Sequence, residues 1–266
     1  MLRQRLLVAI VAIPLLTALI HLGGWLWAGT VALALLLAAW EYAQLVRRIG
    51  FAPSPIWMGA MILAFLADAI HPPQSARPAE LALTLMPPLA LVWFWWFRRS
   101  SHPLADWAFT AAGGLYLGWL GRSFLWIRNL PDPEGREWTA FALLVTWAAD
   151  TGAYAIGSRW GRRKLAPRLS PGKTWEGFLG GCAAGLLAGA LLGALMGAGA
   201  EAGALLGLLI GSLGTLGDLS ISVLKRQAGV KDSGNLFPGH GGALDRLDSL
   251  LWSGAIVYLY LHWIRG

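Results

Sequence analysis

The sequence predicts an all-α, polytopic integral membrane protein with about nine transmembrane helices. Of the 266 residues, 56% are hydrophobic and only 13% are charged, about half the roughly 25% of charged residues in a soluble domain. Long apolar runs also recur, and they approach the ~20 residues that a helix needs to cross a bilayer. The 16 Trp fit the same class, because indole rings favour the headgroup level. These observations argue against a soluble protein with a large core.

Nine apolar segments follow one another along the chain, each about as long as one membrane helix. The first follows Arg3 and Arg5, as in a signal peptide. No small-residue cleavage site follows it and a second apolar run begins at once, so we predict a retained helix. Residues 177–215 are rich in Gly, Ala and Leu, and such small residues let membrane helices approach closely. The predicted helices lie at about 6–22, 25–46, 56–71, 81–97, 105–126, 138–157, 177–198, 203–224 and 249–264.

Composition also limits the partners and the domain organisation. The single Cys182 excludes an internal disulfide and a cysteine cluster for zinc. We attribute the net charge of +7 to cytoplasmic loops facing anionic lipid, and we expect no nucleic-acid partner. We predict one membrane domain, with helices 1–5 in residues 1–137 and the catalytic helices 6–9 with their loops in residues 138–266.

The distribution of cations predicts the orientation. If the N-terminus is inside, 16 of the 21 Lys and Arg fall in inside loops. Because cytoplasmic loops carry an excess of cations, this split favours N-in and, with nine spans, C-out. The cations assigned to the outside are Arg77, Arg122, Arg128, Arg136 and Arg265.

Two polar islands precede the last two helices. Asp150 lies late in the sixth segment with Tyr154 four residues on, hence on the same helix face. A carboxylate in an apolar helix usually faces the bundle interior, either in a functional site or bonded to a neighbouring helix. The second island, residues 170–177, carries Ser, Lys and Thr beside Pro and Gly. It predicts a compact, phosphate-binding turn just before a helix N-terminus. A P-loop is rejected, because Pro167 stands where its first glycine belongs.

The third island, residues 222–248 with Asp218 before it, is the most informative. Asp218, Ser222 and Lys225 are spaced i, i+4, i+7 and line one face of the eighth helix. Asp245 and Asp248, spaced i, i+3, share a face at the start of the ninth. Carboxylates from two helix ends with cations between them form a plausible Mg²⁺ site, whose shell substrate phosphates and water would complete. The alternative is a salt-bridged loop on the headgroups.

At these residues the chain resembles the phosphatidate cytidylyltransferase, or CDP-diacylglycerol synthase, family. The family pattern runs Ser-x-apolar-Lys-Arg, four residues, Lys-Asp-x-Gly, then Pro-x-His-Gly-Gly and Asp-Arg-apolar-Asp. Ala243 departs from it, where the family usually has a larger apolar residue, and this bears on packing rather than on chemistry. Residues 145–250 carry the resemblance, which includes Asp150, Tyr154 and the 170–177 segment. The matching residues are Ser222, Lys225, Arg226, Lys231, Asp232, Gly234, Pro238, His240, Gly241, Gly242, Asp245, Arg246 and Asp248.

The resemblance implies a reaction in which CTP and phosphatidic acid give CDP-diacylglycerol and pyrophosphate. It implies Mg²⁺ bound by Asp218 and Asp245, and a homodimer in the bilayer. It leaves open whether a monovalent ion joins the magnesium. We expect the protein in the bacterial cytoplasmic (inner) membrane, with the active site on the cytoplasmic side.

Residue roles follow from the residue types and from the resemblance together. His240 is an acid or base or a hydrogen-bonding strut in a tight turn, and we favour the strut. The catalytic candidates are Asp150, Lys173, Asp218, Lys225, Lys231, Asp232, Asp245 and Asp248. The substrate-binding candidates are Ser170, Lys173, Thr174, Ser222, Lys225, Arg226, Lys231, His240, Gly241, Gly242 and Arg246.

Three other functions compete with this expectation. The spaced Asp pattern of CDP-alcohol phosphotransferases is not found in this chain. A CTP-dependent polyprenol kinase is harder to exclude from residue types. A lipid transporter or flippase would use Asp150 and Asp218 as coupling residues, but a transporter should show related halves and midplane charges. Here the polar residues are concentrated in the second half and at one face.

Overall fold

The computed structural model describes residues 2–70, 78–98, 100–236 and 241–265. In these residues the chain is helical apart from one short antiparallel hairpin, in which β1 pairs Lys164 with Thr174 and Ala166 with Ser170 of β2. The elements are α1 (Leu2–Leu22), α2 (Gly24–Arg48), α3 (Pro55–Ile70), α4 (Pro78–Trp96), α5 (Pro103–Gly121), α6 (Ser123–Arg128), α7 (Glu134–Trp160), β1 (Lys164–Ala166), β2 (Ser170–Thr174), α8 (Trp175–Leu195), α9 (Ala200–Gln227), α10 (Leu244–Leu247) and α11 (Leu250–Tyr260), followed by a π-helical turn (Leu261–Arg265).

The helical membrane character predicted from composition is confirmed. Five of the described helices are long and apolar enough to cross a membrane, and Ala12–Leu22 and Pro55–Ile70 are shorter apolar helices. Each of the nine predicted segments contains a helix. The fifth is divided at Arg122 into α5 and α6. The number of nine spans and the orientation remain predictions. The five spans are α2, α4, α7, α8 and α9.

The chain forms two compact units. The first unit comprises Met1–Asn129 and Leu224–Leu247, and the second comprises Leu130–Val223 and Asp248–Gly266. Residues 224–247, which the sequence-based division placed with the last four helices, thus belong to the same unit as α1–α6.

Two cations assigned to outer loops are buried in the first unit. The Arg122 side chain lies 3.2 Å from Asp68, and its guanidinium carbon is 3.5 Å from the ring centroid of Trp119. The Nε of Arg128 donates to the carbonyl oxygen of Ile20 at 2.6 Å. Buried charges need such partners, because leaving water is costly. These two arginines therefore connect helices of the first unit and do not act as loop anchors.

Glycines set the helix packing of the second unit. A Cβ added to Gly203 would overlap the carbonyl oxygen of Gly189, and one added to Gly207 would overlap that of Gly185. The same antiparallel register places Gly211 against Gly181. We call these residues of α8 and α9 the glycine stripe. The close helix approach predicted for residues 177–215 is therefore confirmed, since only a glycine lets the two backbones lie so near.

Candidate active site

The first lysine of the candidate site lies on the hairpin that precedes α8. The predicted turn at 170–177 is in fact a strand followed by the helix start, because residues 170–174 pair with β1. The Oγ1 of Thr174 accepts the backbone N–H of Gly177 at 3.1 Å and caps α8. The Glu176 carboxylate accepts the backbone N–H groups of Arg162 and Arg163. These bonds fix the hairpin against α8 and so position Lys173.

Lys173 is paired with Asp218 of α9. Its Nζ lies 2.6 Å from Asp218 Oδ2, and the two side chains are 24% and 35% exposed. The Ser222 hydroxyl donates to Asp218 Oδ1 at 3.3 Å, which confirms the shared helix face that the i, i+4 spacing predicted. The second unit thus brings Lys173 to Asp218 and Ser222, about 45 residues further along the chain, and the Asp218 carboxylate remains accessible.

The second lysine, Lys225, is paired with Asp245 in the first unit. Its Nζ lies 2.6 Å from Asp245 Oδ1, and the two side chains are only 10% and 6% exposed. Asp245 Oδ2 accepts the backbone N–H groups of Ser233 and Gly242 and the Ser233 hydroxyl, at 2.7, 3.0 and 2.9 Å. This carboxylate therefore connects Ser233 and Gly242, which lie between α9 and α10, to Lys225 of α9.

The environment of Asp245 favours its ionised form. Burial by itself would raise the pKa of this carboxyl, but the hydrogen bonds from Lys225, Gly242 and Ser233 outweigh burial and lower the pKa. A carboxylate that accepts several hydrogen bonds is stabilised as the anion. Asp245 is therefore charged at neutral pH and can bind a cation.

Sequence reasoning missed Glu41, which holds the same loop. This residue of α2 is 8% exposed. Its Oε1 accepts the backbone N–H of Ala243 at 2.9 Å, and its Oε2 accepts that of Leu244 at 2.9 Å and the Ser233 hydroxyl at 2.7 Å. A signal was present in the sequence, because Glu41, like Asp150, is a carboxylate within an apolar segment.

The other predicted residues take varied positions. Asp150 and Tyr154 are exposed on α7, so the prediction that they face the interior was wrong. The prediction that Asp245 and Asp248 share a helix face was also wrong, because α10 ends at Leu247 and Asp248 lies in the turn before α11.

His240 lies outside the described residues. Lys231, Asp232, Arg226 and Arg246 are exposed, Ser222 is buried, Ser170 is half-buried in β2, and Gly241 and Gly242 lie beside Asp245.

The structure therefore assembles two lysine–carboxylate pairs, one in each unit. Among the described residues, no group of three or more His, Cys, Asp or Glu side chains could hold a metal ion. Any cation held by the described residues would thus take few ligands from the protein.

Apolar helices of membrane length and a few ordered charge pairs define a helical integral membrane protein. The chain belongs to the cytidylyltransferase family, whose family model matches residues 3–264. It is similar to the phosphatidate cytidylyltransferase of Pseudomonas aeruginosa, with 38% identity over 278 residues that cover 100% of this chain and 98% of the relative. The enzyme of the same name from Synechocystis sp. is 38% identical over 97% of this chain and 96% of the relative. That of Haemophilus influenzae is 33% identical over 94% of this chain and 95% of the relative.

Proposed function

We propose that this protein transfers the cytidylyl group of CTP to phosphatidic acid, giving CDP-diacylglycerol and pyrophosphate. The observation that carries the proposal is the similarity to phosphatidate cytidylyltransferases over essentially the whole chain. The lysine–carboxylate pairs are suited to this chemistry, because both substrates are phosphate anions. The relatives supply the reaction, and the pairs supply groups that can perform it.

The reaction is an in-line displacement at phosphorus. A phosphate oxygen of phosphatidic acid attacks the α-phosphorus of CTP and forms the new P–O bond. The bond from the α-phosphorus to the bridging oxygen breaks, and pyrophosphate leaves with that electron pair. Such a step needs positioning and stabilisation of negative charge more than covalent participation of the protein. Lys173 and Lys225 are the ordered cations that we assign to the phosphates.

We propose Mg²⁺ as the cofactor, with Asp218 and Asp245 as protein ligands. Carboxylate oxygens are the hard ligands that Mg²⁺ prefers, and each already faces an ammonium at 2.6 Å. Asp218 is the more accessible of the two ligands, since its side chain is 35% exposed. Asp245 can offer the ion only Oδ1, because its Oδ2 already accepts hydrogen bonds from Ser233 and Gly242. The ion would add positive charge to the triphosphate. Lys173 and Lys225, released from their carboxylates, would then contact phosphate oxygens.

The deciding experiment measures pyrophosphate release from CTP by the purified protein in mixed micelles. We expect release that requires both phosphatidic acid and Mg²⁺, and none when diacylglycerol replaces phosphatidic acid. A polyprenol kinase would release CDP and no pyrophosphate, and a transporter would release neither product. Either result would overturn the proposal.

We further propose nine spans, a cytoplasmic N-terminus and a periplasmic C-terminus in the bacterial cytoplasmic membrane, with the active site on the cytoplasmic side. The support is the excess of cations in the loops assigned to the inside. A reporter enzyme fused after Gly266 is expected to be active only in the periplasm, and one inserted near Arg163 only in the cytoplasm. Cytoplasmic activity of the C-terminal fusion would contradict nine spans.

We also propose that the protein is a homodimer, as the family resemblance implies. Light scattering of the detergent-solubilised protein, corrected for bound detergent, should give twice the chain mass. A protein mass of one chain would contradict this proposal.

The two lysines are expected to have different kinetic roles. We propose that residues 222–248 bind the nucleotide and the metal, and that residues 170–177 help to place the lipid phosphate or the leaving pyrophosphate. Lys225→Ala should therefore raise the KM for CTP more than that for phosphatidic acid. Lys173→Ala should mainly lower kcat or weaken lipid use. Contacts made only in the transition state affect kcat, and uniform binding contacts affect KM. Steady-state kinetics with each substrate varied will separate the two.

A matched control for the lysine variants is Lys164→Ala. Lys164 is exposed on the same hairpin as Lys173 and is not a site candidate, so its kinetics should match wild type. Identical defects in Lys173→Ala and Lys225→Ala would refute the division of roles and leave the reaction assignment intact.

A further inference from the structure

Glu41 is a buried carboxylate that contacts the predicted functional loop from a different helix. It lies on α2, 192 to 203 residues before the groups that it binds. It accepts three hydrogen bonds from that loop, two from the backbone N–H groups of Ala243 and Leu244 and one from the Ser233 hydroxyl. A buried carboxylate is costly unless such donors satisfy it, so the loop and Glu41 stabilise each other.

Two loop glycines make room for this carboxylate. A Cβ added to Gly234 would lie 2.5 Å from Glu41 Oε1. One added to Gly242 would overlap both carboxylate oxygens. A Cβ atom does not approach another heavy atom this closely, so a larger residue at either position would displace Glu41 or the loop. The glycine content of the loop is thus explained in part by Glu41, in addition to any ligand.

A continuous set of bonds joins Glu41 to Lys225. The Ser233 hydroxyl lies 2.7 Å from Glu41 Oε2 and 2.9 Å from Asp245 Oδ2, and its single proton is shared between the two carboxylates. Asp245 in turn accepts the Lys225 ammonium at 2.6 Å. All four residues lie in the first unit. Moving Glu41 would therefore move Ser233 and Asp245, and with them the ammonium of Lys225.

We propose that Glu41 is a positioning residue for the reaction. It holds Ser233, Ala243 and Leu244 in the positions that orient Lys225 and Asp245, and it acts through Ser233 and the backbone without contact to substrate. This inference rests on the proposed function and extends it to a residue of the second helix. Replacing a residue that orients a ligating side chain through a hydrogen bond typically lowers metal affinity or activity by about 10- to 100-fold.

The test replaces Glu41 by Gln, which keeps the size of the side chain. Gln has one acceptor oxygen where Glu has two, and its NH₂ group cannot accept the N–H of Leu244 or Ala243. We expect Glu41→Gln to raise the KM for CTP by roughly 10-fold or more, with the KM for phosphatidic acid within about threefold of wild type. Hydrogen exchange should quicken in peptides covering 241–247. The matched control is Glu201→Gln, because Glu201 is an exposed glutamate at the start of α9. This variant should leave both KM values and the hydrogen exchange at 241–247 unchanged.

A purely structural role gives a different result. Partial unfolding would lower the amount of active enzyme and leave both KM values unchanged. That outcome, or unchanged exchange at 241–247, would overturn the proposal. If wild type itself releases no pyrophosphate from CTP, the proposed function fails, and the exchange experiment still tests whether Glu41 holds the loop.

A second variant covers the case in which Glu41→Gln does not fold. Ser233→Ala removes only the bridge between Glu41 and Asp245 and leaves both backbone bonds to Glu41. We expect a smaller rise in the KM for CTP. When Glu41→Gln does fold, the two effects in the double variant should be less than additive, because both act through Asp245. An unchanged KM for CTP in Ser233→Ala, or full additivity, would overturn the positioning role.

Discussion

Asp218→Asn is expected to lower turnover by at least about 100-fold, the scale on which key electrostatic groups act. The substitution keeps the side-chain shape and removes a hard anionic ligand. Asp218 is a cleaner test than Asp245, because it accepts the Lys173 ammonium and the Ser222 hydroxyl and does not close a loop. The protein should still insert and purify. Activity in the phosphatidic acid assay over a Mg²⁺ titration is the measurement.

The titration separates a metal ligand from a partner of Lys173. If Asp218 binds the metal, Asp218→Asn raises the Mg²⁺ concentration needed for half-maximal activity, and Lys173→Met does not. Equal losses with an unchanged Mg²⁺ dependence would assign Asp218 to Lys173 alone. Asp132→Asn is the matched control, since Asp132 forms an exposed pair with Arg136 outside the candidate site.

Asp245→Asn is also expected to lower turnover by at least about 100-fold, and in addition to loosen the loop that Asp245 holds. Asp245 accepts bonds from Lys225, Ser233 and Gly242, and an amide cannot accept all of them. Loosening of the loop should therefore accompany the loss of a ligand. Near-normal turnover of Asp245→Asn at limiting Mg²⁺ would show that the metal assignment of this residue is wrong.

Substitutions in the glycine stripe are expected to have the second large effect, on folding. In Gly207→Ala the new Cβ meets the backbone carbonyl of Gly185, which cannot rotate away as a side chain can. Forcing extra atoms into a packed interface costs about 1–3 kcal/mol, and Gly207→Leu should prevent a stable fold. Thermal unfolding and monodispersity in detergent will measure both. Activity should fall in parallel, because separating α8 from α9 also separates Lys173 from Asp218.

The matched control for Gly207 is Gly29 of α2. Nothing lies within 4 Å of a Cβ added there. Replacing a helical glycine by alanine is intrinsically favourable by about 1 kcal/mol, so Gly29→Ala should be neutral or stabilising. The two Gly→Ala substitutions are therefore expected to have opposite signs. A Gly207→Ala variant as stable as wild type would mean that the two helices do not pack this closely.

Local patterns predicted a large part of the site. The i, i+4 spacing of Asp218 and Ser222 predicted that they share a helix face, and the bond between them follows because both lie in one uninterrupted helix. The i, i+3 spacing of Asp245 and Asp248 failed, because the helix is broken between them at Leu247. The strand at 170–174 was missed, since its partner is only a few residues away and so short a strand has no apolar periodicity to detect.

By itself, the sequence determined the class of protein and the set of functional residue types. Apolar composition and segment length decide that a chain enters a bilayer, and the spaced Ser, Lys, Arg, Gly and Asp residues identify the family. The tertiary structure alone decided the pairing. It placed Lys173 with Asp218, Lys225 with Asp245, and Glu41 with loop residues 192 to 203 positions away. Such contacts depend on how helices pack across long stretches of chain, and no local pattern of residues encodes them.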